Sequence, residues 1–514
     1  MAAVNAPGVP PLQTAVITVE REATFELPLT FDARRLASAL DRYRPGPAQL
    51  RRLHTIYFDS DDLRLARWDI SLRYRAGEAW TVKLPTRRGD SSALTQLECT
   101  FAGTDPAGPP QGALDLLCGT LRGAPVHPVA ELRTLRTASR IERLEGGAVA
   151  ELVCDDVRVV RDGRIVRRCR QLEIELAAGA APAELEALAR HLRRRTLARP
   201  TSVTKVRFAL GTVDLTRETR VAPLKRHPHC SEVVRCAIAP AVDTLVRADP
   251  HLLANGDPEW VHDARVATRK LRSSLKVYAP MLREPWTLHT RAALKRLGDL
   301  LGSVRDADVL GERVAALADS IPREEVTSIA RITESVGASR VAAYAVLRAA
   351  LREWWHLALL DTLVAAVRDG PPLASADRTV RPHALVAGAM RRPWKRLGRV
   401  ASRTGDDASV AELHALRIRA KRVHYAAEAI APLLHGRRGR KRCRFAKRLA
   451  RLQDRLGVIH DIAVERDALR AGGEADRFVR GELVGLETAR GAALRQGWGD
   501  LWRAAARRRF RFWR

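Results

Sequence analysis

Two stretches of this chain, 152 residues apart, repeat one pattern of cations. His262, Arg265, Arg269, Lys270 and Arg272 form the first, and His414, Arg417, Lys421, Arg422 and His424 form the second. On a helix, positions 262, 265, 269 and 272 fall within a quarter turn of one another, as do 414, 417, 421 and 424. The spacing therefore predicts two helices, each with a narrow stripe of cationic or ionisable side chains. Val261, Leu271, Leu275 and Tyr278 occupy a neighbouring sector of the first helix, so it can bury one side and hold its cations at the edge of a core. One such helix reads as a solvated basic face. Two at a fixed interval read as a duplicated unit that presents charge to a polyanion.

The duplication continues downstream. Leu301-Gly302-Ser303-Val304-Arg305-Asp306 follows the first stripe, and Leu456-Gly457-Val458-Ile459-His460-Asp461 follows the second, 155 residues later. In both copies the glycine is expected to end one helix and the aspartate to help start another. That would leave Arg305 or His460 near a positively polarised N-terminus.

At 514 residues the chain exceeds one ordinary core, so two or three domains are expected. The net charge of +30 is uneven: residues 1–222 carry +7 and residues 223–514 carry +23. Polyanion attraction belongs mainly to the second half. Aromatics are 5% of the chain and do not interleave with the stripes, which argues against nucleic acid as a specific partner. Seven scattered cysteines without a C-x2-C pair fit free thiols in a reducing compartment. Without a signal-like N-terminus or a run long enough to span a bilayer, the expectation is a cytoplasmic protein with no membrane partner. The tail from Arg507 to Arg514 mixes cations with aromatics and is expected to be a frayed helix end.

These helical motifs resemble the CHAD domain, the conserved histidine α-helical domain that binds inorganic polyphosphate. The resemblance spans roughly residues 228 to 470, with helical sequence continuing to the C-terminus. It implies an all-α pair of four-helix bundles related by a pseudo-twofold, with repeats about 228–370 and 382–514 and the basic stripes lining a shared channel. It also implies phosphate-facing roles for His262, Arg265, Arg269, Lys270, Arg272, Arg305, His414, Arg417, Lys421 and Arg422. Association with polyphosphate granules is a further expectation.

The N-terminal half changes periodicity from helical to alternating. Residues 17–25, 71–75, 80–84 and 171–176 alternate like strands. Because strand neighbours two apart point to one side, Glu20 with Glu22, Arg73 with Arg75, and Glu173 with Glu175 are paired charges on single faces. An antiparallel β-barrel with a polar interior accommodates them. Its carboxylates could hold Mg²⁺ or Mn²⁺ and its cations could clamp phosphate oxygens. An ordinary sheet with one wet face is the simpler alternative for any single pair.

Glu20-x-Glu22, Tyr57-Phe58-Asp59, Ile70 to Arg75, Lys83, Leu132 to Arg136, Glu151 with Asp155, Leu172 to Leu176 and Thr204-Lys205 resemble, in order, the CYTH domain of the triphosphate tunnel metalloenzymes. The resemblance implies a tunnel domain over residues 15–216, giving an α+β multidomain chain with a helical domain at 228–514. Metal ligands would be Glu20, Glu22, Glu173 and Glu175. Phosphate clamps would be Arg73, Arg75, Arg133 and Arg136, with Lys83 and Lys205 joining Glu20 and Glu22 in the catalytic set. Two departures stand out. Thr24 occupies the lysine position of the E-x-E-x-K signature, and Gln96-Leu97-Glu98-Cys99-Thr100 replaces an R-x-E-x-E strand. Losing electrostatic contacts to a transferring phosphoryl group slows the reaction. The expectations are thus a polyphosphate-binding protein whose tunnel binds triphosphate-type ligands with Mg or Mn, or a metal-dependent triphosphatase. A general polyanion binder ranks third.

Overall fold

The computed structural model describes residues 15–513 except 32–39, 41–42, 87–93, 104–105, 107, 319, 321–324, 406 and 471–475. It forms two compact units, residues 1–217 with 249–257, and residues 218–248 with 258–514.

The first unit is built on β1 (Ala15–Leu27), β2 (Tyr43–Pro45), β3 (Gln49–Asp59), β4 (Ser71–Arg75), β5 (Trp80–Pro85), β6 (Leu94–Phe101), β7 (His127–Arg143), β8 (Ala148–Arg161), β9 (Arg164–Leu176) and β10 (Arg199–Pro200). Eight strands pair antiparallel in the order β1-β6-β5-β4-β3-β7-β8-β9, and pairing of β1 with β9 closes them into a barrel. Strands β2 and β10 attach to β7 and β1.

Strict alternation separates two environments. Ala23, Phe25 and Leu27 of β1 and Leu172 and Ile174 of β9 face outward, where they pack with Leu185, Leu188 and Leu192 of a covering helix, Pro182–Arg195. The residues between them, Glu20, Glu22, Thr24, Gln171, Glu173 and Glu175, face inward. A polar interior is tolerable only because the apolar core lies outside the barrel wall, under that helix. Further along the inner face, Tyr57, Leu132, Val157, Val159 and Cys169 form an apolar plug with Val206 and Ala209 of a short helix, Lys205–Leu210. Thr204 caps this helix by accepting a hydrogen bond from the Arg207 amide. Its first residue, Lys205, is thereby delivered to the charged section of the interior.

The second unit is all-α, and one order of elements recurs in it. The first copy runs α1 (Cys230–Ala254), α2 (Pro258–Tyr278), a 3-10 turn at Ala279–Met281, α3 (Glu284–Ala318), α4 (Val326–Arg352) and the shorter α5 (Trp354–Arg368). The second runs α6 (Pro382–Ala401), α7 (Val410–Ala429), a 3-10 turn at Ala431–Leu433, α8 (Gly436–Arg470), α9 (Arg477–Arg495) and the short α10 (Trp498–Ala506). Each copy is thus four long helices and a shorter fifth. The stripe helices α2 and α7 pack on one another, and the Tyr278 hydroxyl donates to the Ala429 carbonyl at 2.7 Å. Sequence explains their limits. Pro258 opens α2, and Ser409 with Glu412 forms a capping box on α7. Among the described residues, no helix is long and apolar enough to cross a membrane.

Two expectations are corrected. Gly302 and Gly457 do not end helices: α3 and α8 each run unbroken for 35 residues through them. Neither Arg305 nor His460 is therefore at a helix N-terminus. The C-terminal tail is not frayed either. Phe510, Phe512 and Trp513 are buried, and the last two pack on Phe445 of α8. Apolar burial of three aromatic rings outweighs the loss of chain freedom at a terminus.

Candidate functional site

Inside the barrel, cations and carboxylates from seven strands and one helix interleave. The Lys83 ammonium contacts Glu20 at 2.5 Å and Glu98 at 3.1 Å. Lys205 contacts Glu173 at 2.6 Å and Asp155 at 2.8 Å. Arg136 pairs with Asp155 through two hydrogen bonds of 2.9 and 2.7 Å and reaches Glu173 at 3.6 Å, while Arg73 lies 3.4 Å from Glu98. Burial works against both ammonium groups. The carboxylates around them nevertheless raise Lys83 and Lys205 above the usual lysine range, so both stay charged.

Two carboxylates beside Glu173, those of Glu22 and Glu175, are not balanced in this way. Oxygens of Glu22, Glu173 and Glu175 lie within 4.8 Å of one another. Register explains the cluster: closing the barrel sets Glu22 directly across from Glu175, and Thr24 across from Glu173. Like charges directly opposed on neighbouring strands destabilise a sheet. Burial, together with the neighbouring carboxylates, pushes Glu22 and Glu175 each up to about 7. Glu173 instead falls below the normal range; burial would raise it, but Lys205 and Arg136 outweigh that. A set of buried carboxylate oxygens short of positive charge suits a hard divalent cation. Glu20, the fourth expected ligand, is held by Lys83 and stands outside that cluster.

Glu20, Glu22, Arg73, Arg75, Lys83, Arg136, Glu173, Glu175 and Lys205 all line one cavity. Arg133 does not. Three residues from Arg136, it has the opposite strand parity, and its side chain is 62% exposed, 3.6 Å from Glu131. It is a residue of the outer wall. The sequence motifs include Asp155 and Glu98 but give neither a role in the site, although each has the parity of an inward residue and each bonds two of the interior cations. Thr24 lines the cavity and brings no charge to it.

In the helical unit the stripes of α2 and α7 share one electrostatic environment. The Lys421 ammonium is lowered to about 8, first by partial burial and then by Arg417 of its own stripe and Arg269 and Arg265 of the other. Burial and the same two arginines lower Arg417. His460 of α8 packs against His414 with ring centroids 4.0 Å apart and planes tilted by 42°, and burial with Arg417 nearby pulls it down to about 4. His262 is lowered by burial and by Arg305 of α3. Carboxylates are sparse and equivalent in the two copies: Arg265 meets Asp306 at 3.3 Å, and Arg417 meets Asp461 at 3.4 Å. The buried Nε atoms of Arg269 and Arg417 and Nδ1 of His414 have no hydrogen-bond partner among the described residues. Buried donors without partners are costly, and an anion bound at the cluster would supply acceptors.

The helical glycines now have a positional role. A Cβ at Gly302 would sit 3.7 Å from the Arg265 guanidinium, and one at Gly457 would sit 3.8 Å from that of Arg417. The guanidiniums lie across these bare stretches of α3 and α8. Not every expected residue joins the cluster. Lys270 is turned to Glu428 of α7 at 3.4 Å. Arg422 is exposed and belongs to a separate group of cations that lowers Lys276. Arg305 pairs with Glu312 at 3.2 Å while still facing His262, and Arg272 is half-buried.

Comparison with known proteins divides the chain along the same lines. Residues 19–209 match the CYTH domain and residues 236–470 match the CHAD domain. The uncharacterised protein Rv2226 of Mycobacterium tuberculosis is 29% identical over 419 residues, covering 76% of this chain and 78% of that protein. Among solved structures, the CHAD domain from the plant Ricinus communis is 26% identical, with a TM-score of 0.44, over 56% of this chain and 96% of that one. HpAC1 from Hippeastrum, described as having a dominant triphosphatase activity, is 17% identical, with a TM-score of 0.26, over 38% of this chain and 99% of that one. The two family matches are consecutive and do not overlap, so this chain joins a CYTH domain to a CHAD domain in one polypeptide.

Proposed function

We propose that the helical unit captures inorganic polyphosphate between the two stripes and that the barrel binds a triphosphate-type ligand together with Mg²⁺ or Mn²⁺. The observation that carries this reading is that the two stripe helices pack together, with buried Nε atoms of Arg269 and Arg417 left without partners among the described residues, and that Arg265 and Arg269 of one stripe lower Arg417 and Lys421 of the other. Opposed cations at this density favour a thin, highly charged chain. A duplex is too thick to enter between packed helices and would be rejected on steric grounds. The domains are taken as residues 15–216 and 228–514. Joining them in one chain lets a single polymer engage both at a raised effective concentration.

The test is a double charge reversal, Arg265→Glu with Arg417→Glu. Both side chains are partly exposed, so a folded variant is expected, checked by its circular dichroism. Polyphosphate affinity should fall more than a hundredfold while tripolyphosphate binding to the barrel is kept. Unchanged polyphosphate affinity would remove the stripes as the site.

A second reading is metal-dependent triphosphate hydrolysis in the barrel. It is favoured by the cluster of Glu22, Glu173 and Glu175, in which Glu22 and Glu175 lack a paired cation among the described residues and whose oxygens would hold the metal. When bound, that metal would supply Lewis-acid stabilisation of phosphate charge. Arg73, Arg75 and Arg136 would orient the phosphates, and Lys83 and Lys205 would neutralise their outer oxygens. Thr24, Gln96 and Thr100 leave three charged positions of the family pattern unfilled, which favours binding over rapid turnover. Phosphate release from tripolyphosphate that needs Mn²⁺ and disappears in Glu22→Gln would establish the enzyme; binding without release would establish the receptor.

A further inference from the structure

The first half of α8 and the C-terminal tail hold a second concentration of cations, separate from the stripes. From Gly436 to Gln453 there are nine arginines and lysines and no carboxylate. Arg444, Lys447 and Arg451 follow at intervals of three and four, so they form a row on one face, and all three are exposed. Arg507, Arg508 and Arg509 are exposed as well. None of these six has a carboxylate within ion-pair distance among the described residues.

The tail is fixed to the helix by its aromatic residues. The Arg448 guanidinium lies 3.8 Å from the centre of the Phe510 ring, and that of Arg509 lies 4.9 Å from the same ring. Trp513 packs on Trp394 and Phe445 at centroid distances of 5.4 and 5.1 Å. After burial, Arg509, Arg451, Arg507 and Arg444 are the groups that lower Arg448, which places the tail's cations beside the helical row. A fixed platform of like charges repels itself, and its favourable partner lies outside the chain.

The surroundings discriminate among polyanions. The platform's aromatic rings Phe510, Phe512 and Trp513 are buried as anchors, so they offer no faces for stacking the bases of a single strand. Among the described residues of this surface, none is an exposed large apolar side chain of the kind that would insert into a membrane. Arg437 to Arg451 covers about 21 Å of helix at 1.5 Å per residue, which matches about six phosphates of one duplex strand at 3.4 Å each. His460, within the stripe cluster, lies about 20 Å beyond Lys447 along the same helix.

We propose that this platform is a second polyanion site, which binds the phosphate backbone of duplex nucleic acid without sequence preference, independently of the stripes. The test uses the full-length protein with a labelled random-sequence duplex and with labelled polyphosphate. Fluorescence anisotropy is followed over a range of salt for the wild type, the stripe variant Arg265→Glu/Arg417→Glu, and the platform variant Arg444→Glu/Lys447→Glu/Arg451→Glu. These last three side chains are on the surface, and an unchanged thermal melt would show that the fold is kept. The platform variant is expected to lose at least tenfold in duplex affinity, with its log–log salt slope shallower by about 3, and to keep its polyphosphate affinity. The stripe variant is expected to do the reverse. Duplex binding that survives in the platform variant, or that falls only in the stripe variant, would overturn the proposal. So would an equal loss of polyphosphate, which would make the surface an extension of the polyphosphate site. Binding to anionic vesicles tighter than to duplex at equal charge would overturn it in favour of a membrane surface.

Discussion

The barrel and the stripe groove both gather cations, and they handle the cost of doing so in opposite ways. In the barrel, Lys83, Lys205, Arg73 and Arg136 each meet a carboxylate within 3.4 Å, and the remaining imbalance is negative, at Glu22 and Glu175. In the groove, Arg265, Arg269, Arg417 and Lys421 face mainly one another, with Asp306 and Asp461 at the edge. A balanced chamber selects its ligand by geometry and by exchange of internal ion pairs. An unbalanced groove selects by net charge.

The largest expected contrast is in salt dependence. Polyphosphate bound by six or more cations of the groove should lose on the order of a thousandfold in affinity between about 50 and 200 mM salt. Tripolyphosphate in the barrel, which exchanges internal partners for ligand, should change less than tenfold. Titrations of each ligand at both salt concentrations check this, and equal slopes would break the comparison.

Next comes the response to metal and pH. Glu22 and Glu175 are raised from 4.5 to about 7 in the folded protein. Between these values the native state holds protons that the unfolded chain has released, so this part of the stability falls as pH rises from about 4.5 to 7. Above 7 the cluster is ionised and free for a cation. Mn²⁺ should therefore raise the melting temperature more at pH 8 than at pH 6, and Glu22→Gln with Glu175→Gln should abolish that difference. A metal effect independent of pH would count against the cluster.

Lys421 tests the cost of imbalance in the groove. Its folded value of about 8 lies below the normal 10.5, so keeping it charged at pH 7 costs stability, and that cost disappears as pH rises from about 8 to 10.5. Lys421→Met should stabilise the ligand-free protein by about 1 kcal/mol after allowance for solvent screening. It should also weaken polyphosphate binding about tenfold, as measured by denaturant melts and titration. The smallest effect belongs to the glycines. Gly302→Ala should be neutral or stabilising by up to about 1 kcal/mol, since its Cβ would meet Arg265 only at contact distance. Gly302→Leu should displace that guanidinium and weaken polyphosphate binding severalfold.

The stripes and the paired carboxylates Glu20 with Glu22 and Glu173 with Glu175 were legible because each depends on a local period, 3.6 or 2, whereas Glu98 and Asp155 show their role only through the cations of other strands. The error at Arg133 came from neglecting that same period, since residues three apart on a strand lie on opposite faces. Gly302 and Gly457 were misread because glycine signals both a helix end and a close approach. Only the partner, a guanidinium from a helix about 40 residues earlier in the chain, distinguishes the two. Burial of the tail depends on Trp394 and Phe445, which lie 67 or more residues away in sequence and carry no local sign of that contact.

The most direct measurement is competition at physiological salt, with labelled long-chain polyphosphate bound to the wild-type protein and challenged by unlabelled polyphosphate or by duplex DNA at equal total charge. Displacement by polyphosphate and little by DNA is expected, because the duplex cannot enter between α2 and α7. Equal displacement per unit charge would show that the stripes are a general polyanion surface and would contradict that expectation.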